Sequence, residues 1–135
     1  MPLVVIRHAR AGDSSEWTGD DRKRPLDDRG VRQAAALVDE LADFPLARIL
    51  SSPYDRCVQT VEPLAVQRGL EVELRAELGE ARQVEGVALV RSLVGEPVAV
   101  CVHGGLPEAT FGERLKKGGM LFVDGDGRVV ERRRV

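Results

Sequence analysis

The sequence predicts an α/β fold in three layers, α/β/α, with a mainly parallel central sheet and a carboxyl-terminal hairpin. Three observations carry that expectation. The runs Leu3-Val4-Val5-Ile6 and Val98-Ala99-Val100-Cys101-Val102 are apolar without alternation, as strands covered on both faces are. Segments with apolar residues at helical spacing separate the strand-like runs, so helices and strands alternate. Near the end that alternation gives way to two strand-like segments around an Asp-Gly turn within Asp124-Gly125-Asp126-Gly127, a hairpin signal.

The first strand ends on Arg7-His8. A polar, Gly- and Asp-rich stretch follows over residues 9–24, long for a loop in a compact domain and therefore a candidate functional segment. Asp27 is placed to cap a helix, with Asp28 in its positively polarised first turn. Ala34, Ala35, Val38, Leu41 and Ala42 share one face, which carries this helix to about Asp43, where Phe44-Pro45 stops it. Ile49-Leu50-Ser51 reads as the second strand. Ser52 then supplies a hydroxyl cap and Pro53 the first position of a helix through Arg56, Cys57, Gln59 and Thr60 to about Arg68. Pro63 inside that helix bends it or costs stability, and Gly69 ends it. An edge strand is expected over residues 71–74, an acidic stretch over Glu77-Leu78-Gly79-Glu80, and a helix over residues 86–94 before the second apolar run. The hairpin covers residues 120–130.

Length and composition are those of a single domain spanning residues 1–135, with no repeat or low-complexity tract. A formal net charge of −2 provides no global basic field for nucleic acid, and Arg132-Arg133-Arg134 reads as a solvated strand end. Apolar runs stay far below the roughly 18 residues that would span a bilayer, so no membrane association is expected. The amino-terminal apolar segment lacks a preceding basic region and a cleavage site, which makes it a first strand and not a signal peptide. Cys57 and Cys101 read as buried reduced thiols, consistent with a cytoplasmic location. Two histidines and two scattered cysteines lack the close-spaced pairs of structural zinc, and neither a metal nor a cofactor is expected. Nothing in the sequence bears on oligomeric state.

Three segments converge if the sheet is parallel, because ligands in open α/β sheets bind outside the carboxyl ends of the strands. They are Arg7-His8, Ser51-Ser52-Pro53 with Arg56, and His103-Gly104-Gly105. Guanidinium forks match phosphate oxygens, and glycines allow a backbone approach that a side chain would block. A neutral imidazole is a competent nucleophile, and a phosphoryl group in flight needs charge stabilisation above all. Either histidine alone would read as a satisfied structural residue; with arginines at matching strand ends the pair reads as an anion site. Arg10 and Lys23 read as solvated loop charge, Arg24 as better placed for an anion, and Trp17 as an anchor for its loop.

Arg7-His8-Ala9, Ser51-Ser52-Pro53-Tyr54-Asp55-Arg56-Cys57-Val58-Gln59-Thr60 and His103-Gly104 closely resemble the histidine phosphatase superfamily, also called phosphoglycerate mutase-like. The short length and Arg24-Pro25-Leu26-Asp27-Asp28-Arg29-Gly30-Val31-Arg32-Gln33-Ala34 are similar to its small SixA-type branch of phosphohistidine phosphatases. The segment Gly19-Asp20-Asp21-Arg22-Lys23-Arg24-Pro25-Leu26 is also similar to the phosphatase domain of actinobacterial two-domain Nudix proteins. The resemblance implies that His8 is phosphorylated during turnover, and that Arg7, Arg56 and His103, with Gly104 beside them, hold the phosphoryl oxygens without a metal. It further implies a carboxylic acid for the leaving group in a Leu-x-Glu setting, which Leu78-Gly79-Glu80 fits; Glu77 and Glu85 are the alternatives. Ala9 stands where the larger family usually has Gly, and the long insertions that form a substrate lid in many relatives are absent from the sequence.

The function expected is a metal-independent phosphatase acting on phosphomonoesters or protein phosphohistidine through a phosphohistidine at His8. The partner would be a phosphorylated small molecule, a nucleotide or a phosphohistidine protein. The alternative from another class is a non-catalytic module that recognises a phosphoprotein or nucleotide. An alkoxide leaves poorly and needs a general acid, worth about 10²–10⁴-fold, whereas a phosphorylated imidazole needs it less, so Glu80 keeps phosphomonoesters open as substrates.

Overall fold

The structure, a computed structural model, describes residues 2–135. In chain order the elements are β1 (Leu3–Arg7), α1 (Asp28–Glu40), β2 (Arg48–Ser51), α2 (Asp55–Arg68), β3 (Val72–Leu74), α3 (Gln83–Ser92), β4 (Val98–Val102), α4 (Gly105–Phe111), β5 (Gly119–Val123) and β6 (Val129–Arg134). The strands form one sheet in the order β3-β2-β4-β1-β5-β6. The first four are parallel, and the β5–β6 hairpin extends the sheet antiparallel beside β1.

The unbroken apolar runs divide their side chains between two cores. Leu3 and Val5 of β1, with Val98, Val100 and Val102 of β4, join Val90 and Leu106 under α3 and α4. Val4 and Ile6, with Ala99 and Cys101, meet Leu37, Val61 and Leu64 of α1 and α2 on the other face. Burial on both faces leaves no position in these strands for a polar residue, and the three layers follow.

Several boundaries differ from the sequence expectation. Helix α1 ends at Glu40, not near Asp43, with Leu41 as its C-cap. The Arg68 guanidinium from α2 takes the carbonyls of Leu41 and Phe44, satisfying backbone groups that a further helical turn would have used. Ser52 and Pro53 are not the cap and first residue of α2: the helix starts at Asp55, and Tyr54 caps it without a side-chain bond. The Ser52 hydroxyl is engaged with His103 instead. The α2 helix runs through Pro63 and closes on left-handed Gly69 (φ 65°). Helix α3 begins at Gln83, ahead of the expected start, and α4 was not anticipated.

Residues 9–24 form an ordered crossing. Ala11 bridges Leu26, a 3₁₀ turn covers Asp21–Lys23, and Trp17 Nε1 donates to the Asp20 carbonyl at 2.9 Å, anchoring the loop. Asp27 caps α1 as expected, accepting from Gly30 N–H at 2.8 Å. Gly30 is required by contact, since a Cβ there would stand 1.9 Å from the Arg10 carbonyl oxygen. The arginines of β6 are not simply solvated: Arg133 lies over the Phe44 and Phe122 rings, and Arg134 lines the cavity at the strand ends. Among the described residues no helix is long and apolar enough to cross a membrane.

Candidate active site

Parallel register brings the sequence-predicted segments to one edge. Arg7 pairs with Val102 and Ser51 with Cys101. The next residues continue the ladder, His8 N–H donating to Val102 O and Ser52 N–H to Cys101 O, both at 3.1 Å. His8, Ser52 and His103 therefore leave three adjacent strands at the same height.

His8 is buried, and its Nδ1 lies 2.8 Å from the Ala9 carbonyl oxygen. A carbonyl only accepts, so Nδ1 carries the proton and the lone pair is on Nε2. Burial pushes the His8 pKa down to about 3; the Ala9 bond opposes this, while the charges of His103, Arg56 and Arg7 reinforce it. The imidazole is thus neutral throughout the physiological range. Ala9 N–H donates to Thr60 Oγ1 at 2.9 Å and that hydroxyl donates to Arg56 O at 2.7 Å, a direct tie between the β1 exit and the helix bearing Arg56.

The His103 and His8 rings are 5.7 Å apart in an edge-to-face arrangement, and Tyr54 stands edge-on to His103 at 4.6 Å. Ser52 Oγ accepts from Tyr54 N–H at 3.3 Å and lies 2.9 Å from His103 Nε2. The Ser52 hydroxyl thus engages Nε2 of His103, and its Nδ1 has no hydrogen-bond partner. Cys57 Sγ is 3.7 Å from the same Nε2, and both cysteines are buried free thiols.

Arg7 is held by Nη1 donating to the Leu115 carbonyl at 2.6 Å. Burial lowers its pKa, and the nearby Glu80 carboxylate offsets part of that shift. Gly104 makes room for it: a Cβ there would be 2.8 Å from Arg7 Cζ. Arg56 is almost fully buried, donating to the Asp21 carbonyl (2.9 Å) and carboxylate (3.1 Å), with its guanidinium 5.0 Å from the Tyr54 ring centroid. Asp21, which the sequence reading passed over, also accepts from Arg24 Nε at 3.0 Å. Its carboxyl pKa is lowered, mainly by that bond. Its signal was present in the acidic residue at a fixed offset before Arg24, but only the 3₁₀ turn carries it across to α2.

Three buried side-chain nitrogens here have no hydrogen-bond partner: Arg7 Nε, Arg56 Nε and His103 Nδ1. Such orphans are costly. Of the three candidate acids, Glu80 alone approaches the side chains that carry them, with Oε2 3.4 Å from Arg56 Nη2 and Oε1 3.8 Å from His103 Nδ1. Glu77 is bonded to Arg75 at 2.7 Å, and Glu85 faces Arg82. An open cavity of about 660 Å³ adjoins His8, Arg7, Arg56 and Glu80; His103 faces a smaller one of about 50 Å³, with Glu80 lining both. Among the described residues no group of three His, Cys, Asp or Glu side chains gathers as metal ligands.

A neutral imidazole beside two guanidiniums at the carboxyl edge of a parallel sheet is an arrangement suited to an anion. The family model described as "Histidine phosphatase superfamily (branch 1)" matches residues 3–90. The chain belongs to that superfamily. In sequence it is 51% identical over 63 residues to the 8-oxo-(d)GTP phosphatase of Mycolicibacterium smegmatis, covering 47% of this chain and 20% of that protein. The chain thus spans about a fifth of that relative's length. In structure it matches the Agrobacterium tumefaciens protein assigned as phosphohistidine phosphatase SixA, with TM-score 0.78 and 22% identity over 97% of this chain and 96% of that one. A protein histidine phosphatase SixA complexed with tungstate gives TM-score 0.77 and 22% identity over 99% and 97%. These two likenesses establish the fold.

Proposed function

We propose that the chain hydrolyses phosphomonoesters or protein phosphohistidine through a covalent phosphohistidine at His8 Nε2. The observation that carries this reading is the gathering of Arg7, Arg56 and His103 close enough to the His8 imidazole to act on its charge, with the imidazole held neutral and one nitrogen of each left without a partner. The donors suit equatorial phosphoryl oxygens, whose charge is what such a site must stabilise. In the first step His8 Nε2 forms a bond to phosphorus as the P–O bond to the leaving group breaks, and Glu80 in its protonated form gives its proton to the departing oxygen, becoming the carboxylate. The phosphoimidazole then carries positive charge that the Ala9 carbonyl, already accepting from Nδ1–H, stabilises. In the second step water attacks phosphorus, its proton passes to Glu80, and the N–P bond breaks to restore neutral His8.

The relatives bear the names phosphohistidine phosphatase and 8-oxo-(d)GTP phosphatase, and a phosphoryl group is common to both. For this chain the partner is accordingly a phosphorylated small molecule, a nucleotide or a phosphohistidine protein. The test is acid quench of turnover and separate base quench with ³²P-labelled substrate. Acid-labile, base-stable label on the wild type that disappears in His8→Ala is expected. Phosphate binding without any trapped label would leave the recognition-module reading in its place.

A further inference from the structure

We propose that the rim of the main cavity is a second anion subsite, which takes a phosphoryl group that remains with the leaving part of the substrate. The inference rests on the reading that the reacting phosphoryl group meets His8. Arg29 of α1, Lys116 and Lys117 of the α4–β5 connection and Arg134 of β6 line the same cavity as His8. Deeper in the cavity Arg10 pairs with Asp27 at 2.9 Å, Arg24 with Asp21 at 3.0 Å, and Arg56 with Asp21 and Glu80, while Arg7 stands unpaired beside His8 and Asp13 is the carboxylate that feels Lys117. None of the four rim cations forms a salt bridge among the described residues. In a chain of net charge −2, gathering unpaired cations around one concavity costs self-repulsion that an anion would relieve.

The rim is also built, not a chance meeting of loops. Gly118 N–H donates to the His8 carbonyl at 3.1 Å, Val135 N–H donates to Gly118 O at 3.1 Å, and Gln33 Nε2 donates to Val135 O at 3.1 Å. Arg134 Nε donates to Lys117 O at 3.3 Å. One hydrogen-bonded chain therefore links the backbone of His8 to the connection, strand and helix that bear the rim cations. Ala11 is the single apolar side chain lining the cavity, so what this rim selects is charge.

Two substrate designs share that chemistry, a diphosphate end and two phosphates spaced on a scaffold. Calorimetric binding of methylphosphonate, methylenediphosphonate and propane-1,3-diphosphonate separates them without turnover. Expected is at least roughly tenfold tighter binding of one diphosphonate than of methylphosphonate, diminishing with salt. Lys116→Ala/Lys117→Ala and, separately, Arg29→Ala should shrink that advantage by about two- to fivefold per cation, with methylphosphonate binding unchanged as the control for folding. Equal affinity for all three ligands, or an advantage that survives in both variants, overturns the subsite. Failure of the His8 reading would show separately, as absence of trapped phosphate.

Discussion

Gly104→Ala isolates the placement of one guanidinium. The backbone at Gly104 is right-handed helical (φ −62°, ψ −27°), so alanine is conformationally welcome and the effect is steric. The new methyl would stand 2.8 Å from Arg7 Cζ and 3.0 Å from Nε and Nη2. Carbon atoms prefer about 3.5–4.0 Å, so the guanidinium must retreat by roughly 0.5–1 Å. Arg7 cannot simply swing, because Nη1 is tied to Leu115 O at 2.6 Å, and the retreat breaks that bond or carries the donor out of line. A displacement of about 1 Å costs on the order of 10²-fold, and loss of one charge-stabilising donor about 10²–10³-fold. The expected fall in kcat for p-nitrophenyl phosphate is thus on the order of 10²-fold. Gly105→Ala is the control: its methyl meets only the end of the flexible Gln83 side chain, at 3.0 Å, and kcat should stay within about twofold of wild type. Steady-state kinetics on both variants, with circular dichroism to verify folding, decides the matter. A folded Gly104→Ala protein with wild-type kcat would refute the reasoning.

Glu80→Gln should slow alkyl phosphates by about 10²-fold or more and p-nitrophenyl phosphate far less, measured as kcat on both; equal losses would remove Glu80 as the acid. His8 makes stability depend on pH. Its folded pKa, about 3, lies below the unfolded value of about 6.5, so the unfolded chain takes up a proton that the folded chain refuses. Stability is whole above pH 6.5 and declines as pH falls toward 3, by about 2 kcal/mol between pH 6.5 and 5. Urea unfolding of wild type and His8→Gln at both pH values should show the variant losing less; parallel losses would contradict the assignment. Gly30→Ala should destabilise the fold by about 2 kcal/mol or more, because its Cβ would collide with the Arg10 carbonyl at 1.9 Å; an unchanged Tm would count against the packing of the crossing on α1.

Local chemistry announced much of the architecture. The Asp27 cap, the Gly69 stop, the doubly buried strands and the Asp-Gly hairpin each follow from near neighbours in sequence, and each is present. The start of α2 was misread because Ser52-Pro53 has the local form of a cap. Its hydroxyl answers to His103, 51 positions away, and no local pattern encodes that preference. Glu80 separates from Glu77 and Glu85 for a similar reason: three carboxylates close together in sequence look alike until Glu77 is seen bonded to Arg75 and Glu85 facing Arg82.

The sequence by itself therefore determined the fold class, the strands that end on His8 and His103, and the residue types of the candidate site. These depend on periodicity and on groups close together along the chain. Tertiary structure alone decided which carboxylate approaches Arg56 and His103, that Asp21 holds Arg56, that Gly104 yields its space to Arg7, and that Arg134 joins Lys116 and Lys117 at the cavity. Those pairings join residues from separate elements, and their energies depend on distance in space and on burial, quantities that spacing along a chain does not contain.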